Sequence, residues 1–303
     1  MISQEQEDIF ILAQNLTGFV VALIVQFIGY GMLMLGMGIA FHSLRERPWG
    51  HSRIIVVVCL IGTLVCSTWN GICQGMFTLE DVRYQFIRTL EGGLLAQVQA
   101  SLQEALITTY MQSWPVTIML LLSDFMVTWR AWVLFQDKKL WRFGLAFFMI
   151  ANIGINIADC IWADVEATVE NTSITILDSL SSMISLFINI FATLLIAWRA
   201  WNHHRILKQA SIQHRTPVQS ILLLLIESGA MFCAVQVSLG VVLLLETYTI
   251  GRDFTLLMGG NVMISVSAIA SALYPVAVII LVSKDKSPII ETLNYTQSTV
   301  TGC

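Results

Sequence analysis

Seven long apolar stretches dominate this chain, at about 18–41, 54–76, 114–135, 143–164, 176–200, 219–245 and 255–282. An uninterrupted run of about 20 apolar residues is what a helix needs to cross the hydrocarbon core of a bilayer. All backbone polar groups of such a segment must be satisfied inside it, so helices are the form these stretches take. The expected fold is an all-α bundle of seven transmembrane helices over 18–282. A tail over 1–17 precedes it and a tail over 283–303 follows.

The rest of the composition agrees. Of 303 residues, 56% are hydrophobic and 12% are charged. Soluble domains carry about twice that charge, and a water-facing surface cannot be assembled from such a chain. The net charge of −4 gives no electrostatic footprint for nucleic acid. The lipid bilayer is the first partner. The opening residues are acidic, which is unlike a cleavable signal peptide, so the first span is expected to direct insertion.

Orientation follows from Lys and Arg. One set of connections holds Arg45, Arg47, Arg53, Lys138, Lys139, Arg142, Arg199, Arg205, Lys208, Arg215, Lys284 and Lys286, twelve in all. The opposite set holds three, Arg83, Arg88 and Arg252. The richer set is expected in the cytoplasm, which puts the amino terminus outside and the carboxyl terminus inside. Two glycosylation acceptors fit this sidedness, Asn171 in the outer loop after span four and Asn15 in the outer tail. Cys59, Cys66, Cys73, Cys160 and Cys233 lie in apolar segments and read as small core residues. A Cys73–Cys160 bridge is the alternative for that pair.

The connection 77–113 is long. Leu94, Val98, Leu102, Ala105, Leu106 and Thr109 recur at helical spacing within it. The segment at about 94–110 is therefore expected to be an amphipathic helix. Either it covers the outer mouth of the bundle or it rests on the lipid surface.

Several seven-span chemistries lack their residues. A retinal Schiff base needs a lysine in the last span, and Lys138, Lys139, Lys208, Lys284 and Lys286 all lie in connections. His42, His51, His203, His204 and His214 lie in cytoplasmic connections too, so no span offers a metal or haem ligand set or a serine–histidine pair. No enzyme activity, metal or cofactor is expected.

Polar residues inside the spans form stripes at helical spacing. These are Thr63, Ser67, Asn70 and Gln74 in span two, and Asn152, Asn156 and Asp159 in span four. Span five gives Asp178, Ser182, Ser185 and Asn189, and span seven gives Asn261 and Ser265. An unpaired polar group in hydrocarbon costs several kcal/mol, so the stripes must face into the bundle. All lie in the outer half or near the middle, above nearly apolar inner halves. That pattern fits a wet cavity open to the outside and closed below. Asn70, Gln74, Asn156, Asp159, Asp178, Ser182, Ser185, Asn261 and Ser265 are its candidate ligand-binding residues. The alternative is that these groups only hydrogen-bond helix to helix, at about 0.6 kcal/mol each.

Three ionisable residues lie deeper: Asp124, Arg130 and Glu227. Each costs roughly 2.5–3.5 kcal/mol at a span centre. Asp124 and Arg130 are six apart, off a common helical face. Arg130 and Glu227 fall within about 5 Å of one another in depth. They are expected to pair between spans three and six, as a switch or as a permanent link, unless Arg130 extends to the interface instead. Trp129-Arg-Ala-Trp132 and Trp198-Arg-Ala-Trp201 end spans three and five as interfacial anchors or as a docking surface for a cytoplasmic partner.

The run Ser123-Asp-Phe-Met-Val-Thr-Trp-Arg-Ala-Trp-Val-Leu-Phe135, with Ala197-Trp-Arg-Ala-Trp201 and Tyr274-Pro275, resembles the large family of basidiomycete fungal seven-span proteins. The resemblance covers nearly the whole chain and implies the fold. The topology is similar to that of rhodopsin-like G-protein-coupled receptors. Arg130 stands where their Asp/Glu-Arg-Tyr motif has its arginine, although Trp129 replaces the acid and Ala131 the tyrosine. Span six has no proline. The expected role is a receptor-like protein, in the plasma membrane, that senses a small molecule and signals through a cytoplasmic protein such as a G protein. A transporter or channel is the runner-up, and a structural or assembly protein the third reading.

Overall fold

The computed structural model describes residues 4–45, 51–87, 93–135, 138–169, 176–209, 217–248 and 254–300. These form seven α-helices: α1 (Gln4–Arg45), α2 (His51–Val82), α3 (Gly93–Leu134), α4 (Lys139–Val169), α5 (Ile176–Gln209), α6 (Pro217–Tyr248) and α7 (Phe254–Val300). A short π-helical turn, Arg83–Ile87, follows α2, and there is no strand among the described residues. All seven helices contain a window long and apolar enough to cross a membrane. Their outer faces carry large apolar side chains such as Leu35, Leu140, Phe143 and Ile150, each at least 70% exposed. Water would not tolerate so continuous an apolar surface, whereas lipid requires it. The chain is an integral, multi-pass membrane protein.

The helices alternate in direction. The end of the bundle at which the chain begins is called the upper end below. Two apolar cores fill the lower half. One gathers Val127, Phe135, Leu145, Leu195, Phe232 and Tyr274 from α3 to α7. The other gathers Leu33, Met37, Leu60, Met119, Ala272 and Val276.

Helix α1 packs along α7 through a stripe of small residues. Gly18, Gly29 and Gly36 repeat at helical spacing on one face. A methyl group added at Gly29 would overlap the Ile269 side chain, and one at Gly36 would come within 2.9 Å of Val276 Cγ1. Small residues let helix backbones approach, which is how apolar helices associate where lipid removes the hydrophobic drive.

Helix α3 is longer than its span. Its 42 residues measure about 63 Å at 1.5 Å per residue, against a hydrocarbon core of about 30 Å. The segment 94–110 therefore does not lie flat along the lipid surface. It continues span three upward and packs against the top of α2, where Ser101 Oγ donates to Asp81 Oδ1 at 3.1 Å and Thr108 Oγ1 to Glu80 Oε2 at 3.0 Å. These pairs tie the segment to α2. Pro115 lies inside α3. Lacking an N–H, it leaves the carbonyl of Met111 without its helical donor. Trp69 of α2 supplies one, with Nε1 at 3.0 Å from that oxygen.

The tails also differ from expectation. Residues 1–17 were expected as a tail, yet α1 begins at Gln4 and runs through Asn15, which is half-buried on a helix rather than in a surface loop. Of the carboxyl-terminal tail over 283–303, helix α7 covers the part to Val300. Asn171 lies outside the described residues. Cys73 and Cys160 are buried free thiols, and Cys160 Sγ lies 3.0 Å from Thr117 Oγ1.

Candidate functional site: a polar cavity above a buried carboxylate

Two adjoining hollows open between the upper halves of the helices. The larger, of about 580 Å³, is lined by Gln74, Thr117, Asp159, Asn261 and Ser265 together with Phe19 and Phe77. The smaller, of about 260 Å³, is lined by Asn156, Asp159, Ser182, Ser185, Gln236 and Ser271 among others. Val116, Thr117, Asp159 and Ile264 line both. Asp159 is the carboxylate at this junction, and it accepts a hydrogen bond of 2.7 Å from Ser181 Oγ. Across the larger hollow Gln74 Nε2 stands 3.5 Å from Ser265 Oγ, a weak contact.

Seven of the nine residues expected at the cavity therefore line it. The fold brings Gln74, Asn261 and Ser265 together on one side, Asn156, Ser182 and Ser185 on the other, and Asp159 between them. Asn70 does not line either hollow. It is 3% exposed, and its Oδ1 has no partner. The side chain of Asp178, in the first turn of α5, lies outside the described part of the structure.

Beneath the smaller hollow the helices enclose Asp124, which is 0% exposed. Asn152 Nδ2 donates to it at 2.8 Å, Ser185 Oγ at 2.7 Å and Asn189 Nδ2 at 2.7 Å. A second ring of contacts ties these donors to each other. Gln236 Nε2 donates to Ser185 Oγ at 3.1 Å, and Asn189 Nδ2 to Gln236 Oε1 at 3.0 Å. Asn156 Nδ2 donates to Asn152 Oδ1 at 2.9 Å. One carboxylate thus fastens α3, α4, α5 and α6 at mid-depth. Hydrogen bonds to a charged group are worth about 1.5–3 kcal/mol each. Three of them offset a burial penalty of several kcal/mol.

Arg130 and Glu227 do not pair, which corrects the sequence expectation. Matching depth does not fix the direction in which a side chain leaves its helix. Glu227 is exposed on the outer face of α6. Arg130 turns inward, its guanidinium 4.7 Å from the centre of the Tyr274 ring, which stacks on Phe232 at 4.8 Å. Arg130 Nε donates to the Met126 carbonyl at 2.9 Å, while Nη1 and Nη2 are buried without a partner. Asp124, grouped by sequence with this pair, belongs instead to the polar cluster.

Gln236, Ser181 and Thr117 are among the residues that sequence reasoning missed, and Tyr274 was noted only beside Pro275. A lone glutamine in span six has no periodic companion to announce a face. Asn152 and Asn189 lay on the recognised stripes, but spacing within one helix could not show that both point at Asp124. Among the described residues no three His, Cys, Asp or Glu side chains come together.

Comparison with family models, with curated proteins and with solved structures returned no match. The fold and its apolar exterior define the class by themselves: an all-helical protein with seven candidate membrane spans.

Proposed function

We propose that this protein is a receptor-like member of the fungal seven-span group its sequence resembles. In this reading it resides in the plasma membrane with its upper end outside, and it signals through a cytoplasmic partner such as a G protein. The ligand is a small molecule held in the two adjoining hollows. Asp159, the carboxylate both hollows share, selects a cationic or hydrogen-bond-donating group. The carrying observation is the vertical division of the bundle, with polar side chains around space above and two clusters of buried apolar side chains below. Drug-sized sites have volumes of about 300–1,000 Å³ and a few convergent polar groups, and the larger hollow falls within that range. A transporter would need polar lining to both faces.

Single cysteines along α2 and α7, probed with a membrane-impermeant thiol reagent from each side in a background lacking the native cysteines, test this reading. Reaction confined to upper positions such as Gln74, Asn261 and Ser265 supports it. A continuous reactive path reaching Leu60 and Val276 would replace the receptor with a transporter or channel.

A further inference from the structure

The Asp124 cluster has an imbalance that the proposed ligand does not address. Its carboxylate is fully buried, and its three direct partners are neutral donors. The basic residue on the same helix, Arg130, is six residues away and engaged with Tyr274. The cluster therefore holds one uncompensated negative charge in a low-dielectric interior, where such charges are ordinarily paired or bound to metal. A second observation lies beside it. Asn189 is 1% exposed, and its Oδ1 has no hydrogen-bond partner. Its own Nδ2 contacts both Asp124 and Gln236, so this orphaned acceptor sits within the same cluster.

We propose that the Asp124 cluster binds a small monovalent cation of the sodium type, which reaches it through the smaller hollow. Oxygen donors stand ready for a hard ion: the Asp124 carboxylate, Ser185 Oγ, Asn189 Oδ1 and Gln236 Oε1. Rotation of one hydroxyl and turning of the terminal amides direct these oxygens to an ion without moving a helix. Charge sets the valence. One carboxylate is cancelled by one positive charge, whereas a divalent ion would leave a net positive charge buried in the bundle. A proton would also cancel the charge, and it is told apart by a stabilisation that follows pH and not sodium. Access follows from Ser185 and Gln236, which belong to the cluster and also line the hollow. Bound there, the ion would tie α3, α5 and α6 together. The proposal does not require the hollow above to bind a ligand.

The test is thermal unfolding of the purified full chain in detergent, in sodium, potassium or N-methyl-D-glucamine chloride at equal ionic strength and fixed pH. Sodium at saturation should raise Tm by about 5 °C over N-methyl-D-glucamine, with a saturable dose dependence. Asp124→Asn should abolish the shift, Asn189→Ala should weaken apparent sodium affinity at least tenfold, and Glu227→Gln should leave it intact. Binding of radiolabelled sodium to the wild-type protein, near one ion per chain, provides a readout that does not depend on how well the variants fold. Equal Tm values in all three salts without sodium binding would overturn the proposal. So would a sodium shift that survives in Asp124→Asn, or a stabilisation that follows pH and ignores the cation.

Discussion

Trp69 and Pro115 solve one problem between them. The proline removes a donor from α3, and the indole of α2 replaces it at the Met111 carbonyl. Trp69→Phe keeps the ring but strands that carbonyl, and should cost about 1–2 kcal/mol. In a Pro115→Ala background residue 115 regains its N–H, so the same substitution should cost much less. A double-mutant cycle read by thermal unfolding measures the difference. Arg130 offers a second residue-scale prediction. Tyr274→Leu removes the ring under the guanidinium and should couple to Arg130→Met by about 0.5–2 kcal/mol. Glu227→Gln should couple to neither, and should change stability by less than about 0.5 kcal/mol. The contrast shows where sequence reasoning stops. The depths of Arg130 and Glu227 were legible, because rise per residue is fixed. Their directions were not, because helix rotation is set by packing between helices.

At the scale of elements, the approach of α1 to α7 is set by glycine. Gly29→Ala would drive its Cβ into Ile269 and should destabilise the bundle by about 1–3 kcal/mol. Ile269→Ala in the same chain should recover much of the loss. Gly31→Ala, where nothing lies within 4 Å of the added carbon, should be tolerated. Unfolding of the purified variants in detergent distinguishes the three. The span count was readable from apolar run length alone. That 94–110 packs against the top of α2 was not, since its spacing fits a helix over the mouth and one on the lipid surface equally well. A proline fits a helix interior when another side chain takes over the freed carbonyl, and the residue that does so is 42 positions away.

For the whole molecule, the vertical division of polar from apolar side chains was legible, because each stripe has a depth as well as a face. It placed seven of nine expected residues around a real hollow. The Asp124 cluster was harder to foresee. Sequence cost arguments looked for a cation to compensate each buried charge, and the fold answered Asp124 with Asn152, Ser185 and Asn189. A network drawn from four helices has no signature in any one of them. If it fastens the bundle as described, Asp124→Leu should lower Tm more than Asp159→Leu, because Asp159 is half-buried at a cavity wall and has one donor, Ser181 Oγ, where Asp124 has three.

The length of α3 has a mechanical corollary. From Gly93 to Leu134 it is one rod, gripped by α2 near its upper end and carrying Asp124 and Arg130 within it. A push on the projecting end therefore arrives at both charges without crossing a loop. Pro115 is the fulcrum, and the Trp69 indole is the bolt that keeps the rod from bending there.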